Sequence, residues 1–224
     1  MPTVLITGAG RGLGYELARQ YAADGWKVIG TVRNAKAKAV LAKLGADATI
    51  ADVTDRKAIA RLSEGLKGIP IDVLICNAGI HGPKDLRLGK LDYASWEEVL
   101  RVNVLGPAAV VEALLENVAA SERRVIVMMS SRMGSIGERR GGEYLYPASK
   151  AALNMVGKTL SADLAHRGIT MVSLSPDWVR TDMGGEDAPL APETSIRGVR
   201  KVIAELSLEK SGKFFNYDGS AIPW

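Results

Sequence analysis

The chain has 224 residues, with 29 Lys and Arg against 25 Asp and Glu, a formal net charge of +4 and a 47% hydrophobic fraction. That is the balance of a globular protein large enough for one core, and its basic residues form no dense stripe, so no nucleic-acid partner is expected. No apolar run is long enough to cross a bilayer, and a single cysteine, Cys76, with a start that reads directly as a strand, predicts a cytoplasmic protein without disulfides.

Short apolar runs alternate with longer amphipathic stretches. Strands are predicted over residues 3–7, 27–32, 48–51, 73–77, 124–130, 170–175 and 213–216. Helices are predicted over 12–24, 35–44, 56–66, 93–119, 147–166 and 194–206. Runs such as Val125, Ile126, Val127, Met128 and Met129 lack a period of two, as strands covered on both faces should. The expected fold is α/β: one Rossmann-type domain over 1–224, with a doubly wound, seven-stranded, mostly parallel sheet between helical layers.

Between the first strand and first helix stands Thr7-Gly8-Ala9-Gly10-Arg11-Gly12-Leu13-Gly14. Gly8 begins the turn, Gly12 lets the backbone approach a pyrophosphate, and Gly14 lets the helix pack on the sheet. The helix N-terminus then offers free N–H groups and a positive dipole end to phosphates. The second strand ends in Thr31-Val32-Arg33-Asn34, with no acid to hold a ribose 2′-hydroxyl. Arg33 can pair with a 2′-phosphate and Arg11 can join it, so NADP(H) is preferred and NAD(H) is the alternative. Further along come Asp52-Val53, Asn77-Ala78-Gly79, Asn103 inside an apolar helix, Ser131 three residues before Gly134, Tyr146-x-x-x-Lys150 on one helix face, and Pro176-x-x-Val179-x-Thr181.

These motifs, in this order, resemble the short-chain dehydrogenase/reductase family over nearly the whole chain. Segments 177–185 and 218–224 resemble its C-factor and sniffer-type carbonyl reductase branch. The resemblance implies that Asp52 accepts from the adenine amino group, Val53 packs on the ring, Asn77 fixes the strand end beside the adenosine ribose, and Ala78 and Gly79 belong to the coenzyme site. Leu13 belongs to the coenzyme loop. Pro176, Val179 and Thr181 would meet the nicotinamide end. Asn103 would hold a water that links the lysine to solvent. Tyr146 would be the general acid, Lys150 would hold the nicotinamide ribose, and Ser131 would bond the substrate oxygen. A phenol titrates near ~10 and would have to fall by about 2 to 3 units, roughly 3 to 4 kcal/mol. An ammonium at about 4 Å in an effective dielectric of ~20 supplies roughly 4 kcal/mol, so Lys150 is expected to lower Tyr146.

Several features depart from the family. Ser131 stands fifteen positions before Tyr146, where about thirteen is usual, so Ser130 and Ser135 remain rivals and segment 136–143 should be an enlarged loop. Within that loop Arg139 and Arg140 either reach an anionic substrate or are solvated and balanced by Glu138 and Glu143. Tyr144 is excluded as catalyst because Ala148 stands four residues on. Asp177 occupies a place where glycine, tolerant of positive φ, is usual. The lid 182–193 is short, and the ending 221–224 lines a pocket or interface or packs in the core. His81 and His166 show no metal-ligand spacing and are expected at the surface, and no metal site is expected. The reading is an NADPH-dependent reductase of aldehydes or ketones. It forms a homodimer or homotetramer through helices 93–119 and 147–166. The alternative is an NADP(H)-binding signalling protein.

Overall fold

The computed structural model describes residues 1–84 and 86–224. Seven parallel strands form one sheet in the order β3-β2-β1-β4-β5-β6-β7. They are β1 Thr3–Ile6, β2 Lys27–Val32, β3 Asp47–Ile50, β4 Val73–Cys76, β5 Val125–Met129, β6 Thr170–Ser175 and β7 Phe214–Asn216. The connecting helices are α1 Gly12–Ala23, α2 Ala35–Ala42, α3 Arg56–Gly65, α4 Tyr93–Leu100, α5 Gly106–Ala119, α6 Leu145–Asp163 and α7 Pro192–Ala204.

Successive strand residues enter two different cores. Val4 and Ile6 of β1 pack with Leu17 of α1, Leu41 of α2 and Val199 of α7. Leu5 faces the other way, towards Ile59 of α3, Leu114 of α5 and Leu153 of α6. Both faces of each strand are therefore buried, which is why the central strands show no polar alternation. Cys76 lies in this interior at 1% exposure, and burial pushes its thiol up to about 12.

The order reverses beside β1, so the ends of β1 and β4 open a crevice at a topological switch point. Thr7 ties those ends together, its hydroxyl accepting from the N–H groups of Asn77 and Ala78 at 3.0 Å each.

The continuous helix expected over 93–119 is broken. Between α4 and α5, residues Arg101–Leu105 form a π-turn. Pro107 has no N–H for the Asn103 carbonyl four residues earlier, so the α ladder cannot close there. Gly106 sits against Val53, where a Cβ would come within 2.8 Å of the valine side chain. Elsewhere the differences are at element ends: α6 begins two residues early at Leu145, and the segment after Asp163 tightens into a 3-10 turn over Ala165–Arg167. The C-terminal tail packs back on β7. Ile222 is buried and donates to the Phe214 carbonyl at 2.9 Å, and Trp224 stacks on Phe214 with ring centroids 5.6 Å apart.

Candidate active site

The crevice is lined by the glycine loop, the end of β2, the Asp52 turn, the Asn77 turn, α4 with its π-turn, and the start of the lid. In the loop, Gly12 adopts φ 54 and a Cβ there would meet only Thr181, at 3.9 Å, so its backbone stands open to the crevice. Gly14 is required by crowding: a Cβ would lie 2.3 Å from the Gly8 carbonyl and 2.6 Å from Asn77 Nδ2. The Asn77 amide donates to the carbonyls of Thr7 and Gly8 at 3.0 and 3.3 Å, which fixes the loop from below.

Arg33 lies close enough to Asp52 to act on its charge, and both line the crevice together with Leu13, Val53, Ala78 and Gly79. Burial opposes ionisation of Asp52. The Thr54 hydroxyl and N–H, donating at 2.7 and 2.8 Å, together with Arg33 and Arg101, nevertheless hold its carboxyl below the usual range. Arg11 also lines the crevice, but its guanidinium donates to Asp182 at 2.9 Å, joining the glycine loop to the lid rather than to Arg33. Pro176 and Thr181 also line the crevice, whereas Val179 is buried and is not among the lining residues.

The first turn of α6 presents Tyr146 to the crevice, and the next turn presents Lys150. The lysine is 4% exposed and donates to the Met129 carbonyl at 2.7 Å. Its Nζ lies 5.5 Å from the Tyr146 ring centroid. Burial drags the ammonium down to about 8. The phenol is pushed up to about 12 by burial; a hydrogen bond from Ser131 opposes that, and the Glu143 carboxylate adds to it. Tyr146 as a residue is half-buried, so solvent on the crevice side moderates the shift without changing its direction. Lys150 thus does not lower the phenol as expected from charge alone, because in this arrangement desolvation outweighs the distant cation.

The serines separate clearly. Ser131 Oγ accepts from the Met133 N–H at 3.2 Å, which leaves its own proton to donate to Tyr146. Ser135 is committed elsewhere: it donates to the Pro223 carbonyl at 2.6 Å and accepts from the Glu138 N–H. Ser130 is buried at the crevice, and its hydroxyl has no hydrogen-bond partner among the described residues. Asn103 is fully buried in the π-turn. Its amide donates to the Ile80 carbonyl and the Ser149 hydroxyl at 2.8 and 2.9 Å, and its oxygen accepts from the Ile80 N–H at 2.8 Å. Both amide protons are spent on structure. A Cβ on Gly79 would stand 3.2 Å from Asn103 Oδ1 and 3.6 Å from Lys150 Nζ, so the Gly79 backbone packs against both side chains.

A family model described as short chain dehydrogenase matches residues 2–189. The chain belongs to the short-chain dehydrogenase family. C-signal of Myxococcus xanthus is 45% identical over 156 residues, covering 69% of this chain and 93% of that one. The solved carbonyl reductase Sniffer of D. melanogaster is 35% identical with a TM-score of 0.92, covering 100% of both chains. The NADPH-bound carbonyl reductase from chicken fatty liver is 30% identical at TM-score 0.92, covering 100% of this chain and 99% of that one.

Against the pattern expected of short-chain dehydrogenases, Asp177 does adopt positive φ, at 67. Its carboxylate offsets the strain by accepting from the Trp178 N–H at 2.8 Å and from the Asn216 amide at 3.0 Å. His81 is not a surface residue as expected. Its ring stacks on Tyr146 with centroids 4.7 Å apart and planes 15° apart, whereas His166 is exposed. Arg139 donates to the Glu143 carbonyl at 3.0 Å and so braces its own loop, while Arg140 is exposed. The tail holds that loop too, through the Gly137 N–H donating to the Trp224 carbonyl at 2.9 Å. Arg101 is a crevice residue with no signal in the sequence beyond standing two positions before Asn103. Among the described residues, no cluster of three or more His, Cys, Asp or Glu could hold a metal ion, and no helix is long and apolar enough to cross a membrane.

Proposed function

We propose that this short-chain dehydrogenase is an NADPH-dependent reductase of aldehydes or ketones, with Tyr146 as the proton donor. The observation that carries the reading is that Tyr146 and Lys150 line the same crevice as the glycine loop and Arg33, with Ser131 beside the phenol. The crevice fits the coenzyme: Gly12 leaves backbone open where a pyrophosphate would lie, and Arg33 offers a cation to a 2′-phosphate. When bound, NADPH supplies hydride to the carbonyl carbon.

Tyr146, its phenol pushed upward, stays protonated across neutral pH and is ready to give its proton to the carbonyl oxygen. Ser131 donates from beside it and stabilises the charge that develops on that oxygen. Lys150, lowered to about 8, can return a proton to the phenolate and keep its other donors for the ribose hydroxyls. Asn103 keeps the Ile80 backbone and Ser149 in place around the ammonium. The short lid, joined to the loop by Asp182 and Arg11, leaves an open pocket that suits varied carbonyl compounds. The same reading includes a cytoplasmic homodimer or homotetramer, supported by the exposed Tyr93 and Met155 on α4 and α6; sedimentation at micromolar concentration checks the assembly.

A screen of aldehydes and ketones for NADPH oxidation tests the reading, with Tyr146→Phe as control. The wild type should turn over members of the panel, and the variant should lose about a hundredfold while keeping coenzyme affinity. A second reading, NADP(H) binding in a signalling role without turnover, is favoured by the likeness to C-signal. Tight NADPH binding with no turnover across the panel would select it.

A further inference from the structure

His81 was absorbed by none of the expected roles, yet it lies flat on the proton donor. Its ring covers the Tyr146 ring at 4.7 Å, and its Nε2 stands 3.1 Å from Glu143 Oε2. His81 Nδ1 faces the Gly82 carbonyl at 3.4 Å, so both ring nitrogens look at oxygen acceptors. Glu143 belongs to the loop that the extra residues between Ser131 and Tyr146 enlarge. Its backbone is braced by Arg139, and its Oε2 is shut off from solvent with no aligned hydrogen bond among the described residues. His81, Glu143, Tyr144 and Tyr146 together wall a small cavity with Pro83, Leu86 and Leu145.

We infer that His81 and Glu143 form a positioning pair for Tyr146, in which the imidazole fixes the plane of the phenol and the carboxylate anchors the imidazole. The inference rests on the proposed reductase reading, since it gives the pair its purpose. An aromatic ring pressed flat on the phenol restricts its swing, which matters for a donor that must meet a carbonyl oxygen within hydrogen-bond reach. A carboxylate nearby makes loss of the phenol proton harder, and Glu143 does push Tyr146 upward. The other groups facing the phenol act from separate elements. Lys150 approaches from the next turn of α6 and Ser131 from the 3-10 turn Arg132–Gly134 it caps, and Tyr144 shares the cavity. The enlarged loop thereby gains a function: it delivers an acid to the back of the site.

The test separates the two halves of the pair. His81→Ala should lower kcat about tenfold with coenzyme affinity unchanged, and His81→Phe, which keeps a flat ring, should restore most of it. Glu143→Gln should move the basic limb of carbonyl reduction, where the phenol must hold its proton, about half a unit or more towards lower pH. Ultraviolet titration of each protein against its Tyr146→Phe counterpart isolates the same phenol without turnover, so the pair can be judged even if the carbonyl panel fails. If His81→Ala keeps full kcat, or His81→Phe loses as much, the positioning role is overturned. An unmoved phenol in Glu143→Gln overturns the electrostatic one.

Discussion

Lys150→Met offers a direct reading of the environment that shapes the site. The ammonium is 4% exposed, donates to one backbone carbonyl, and is dragged by burial from 10.5 to about 8. That gap is worth about 3 kcal/mol of folding free energy. The sign follows from which state holds the proton. Between about pH 8 and about pH 10.5 the unfolded chain binds a proton that the folded chain has lost, so stability rises with pH across that window. Methionine fills a similar volume with no charge to desolvate and removes the dependence. Cys76 and Tyr146, both raised to about 12, lower stability at high pH in wild type and variant alike, and they cancel in the comparison. In urea unfolding of the coenzyme-free proteins, stability of the wild type relative to Lys150→Met should grow by about 2 to 3 kcal/mol from pH ~8 to pH ~10.5. A difference that stays flat, or shrinks, would refute the claim that burial governs this lysine.

Arg33→Asp should weaken NADPH about ten- to a hundredfold and bring NADH closer, with Arg11 leaving some NADPH affinity; coenzyme titrations of both proteins check it. Gly14→Ala should abolish coenzyme binding and destabilise the fold by several kcal/mol, roughly the scale of severe overpacking, because its Cβ would collide with the Gly8 carbonyl; calorimetry with and without NADPH reads both effects. Asp177→Gly should change stability by less than about 1 kcal/mol, since relief at φ 67 offsets two lost hydrogen bonds, whereas Asp177→Ala should cost about 1 to 2 kcal/mol; urea midpoints distinguish the two.

Much of the fold was legible because its causes are local. Apolar runs flanked by glycine turns marked every strand within a residue or two, and the glycine loop, Arg33, Asp52 and Tyr146 fall on one crevice because chain order dictates which strand ends meet. What was hidden depends on contacts between distant segments. The π-turn arises where Asn103 bonds to Ile80, twenty-three residues away, and where Pro107 withholds an N–H. His81 lies sixty-five positions from the tyrosine it covers, with no periodicity to announce it. The sense of the Tyr146 and Lys150 shifts also eluded the sequence, since four-residue spacing specifies proximity but not how deeply either group is buried. The tail did not declare whether it lined a pocket or the core; Trp224 on Phe214 shows that it closes the end of the sheet and holds the loop that carries Glu143.

Transfer of deuterium from NADPH labelled at the nicotinamide C4 to a carbonyl substrate tests the central claim most directly. Mass spectrometry of the alcohol should show one deuterium on the carbinol carbon with the wild type, and almost none formed in the same time with Tyr146→Phe, although both proteins bind the coenzyme. Alcohol that forms without the label, or labelled alcohol that forms as fast when Tyr146 is phenylalanine, would contradict the account.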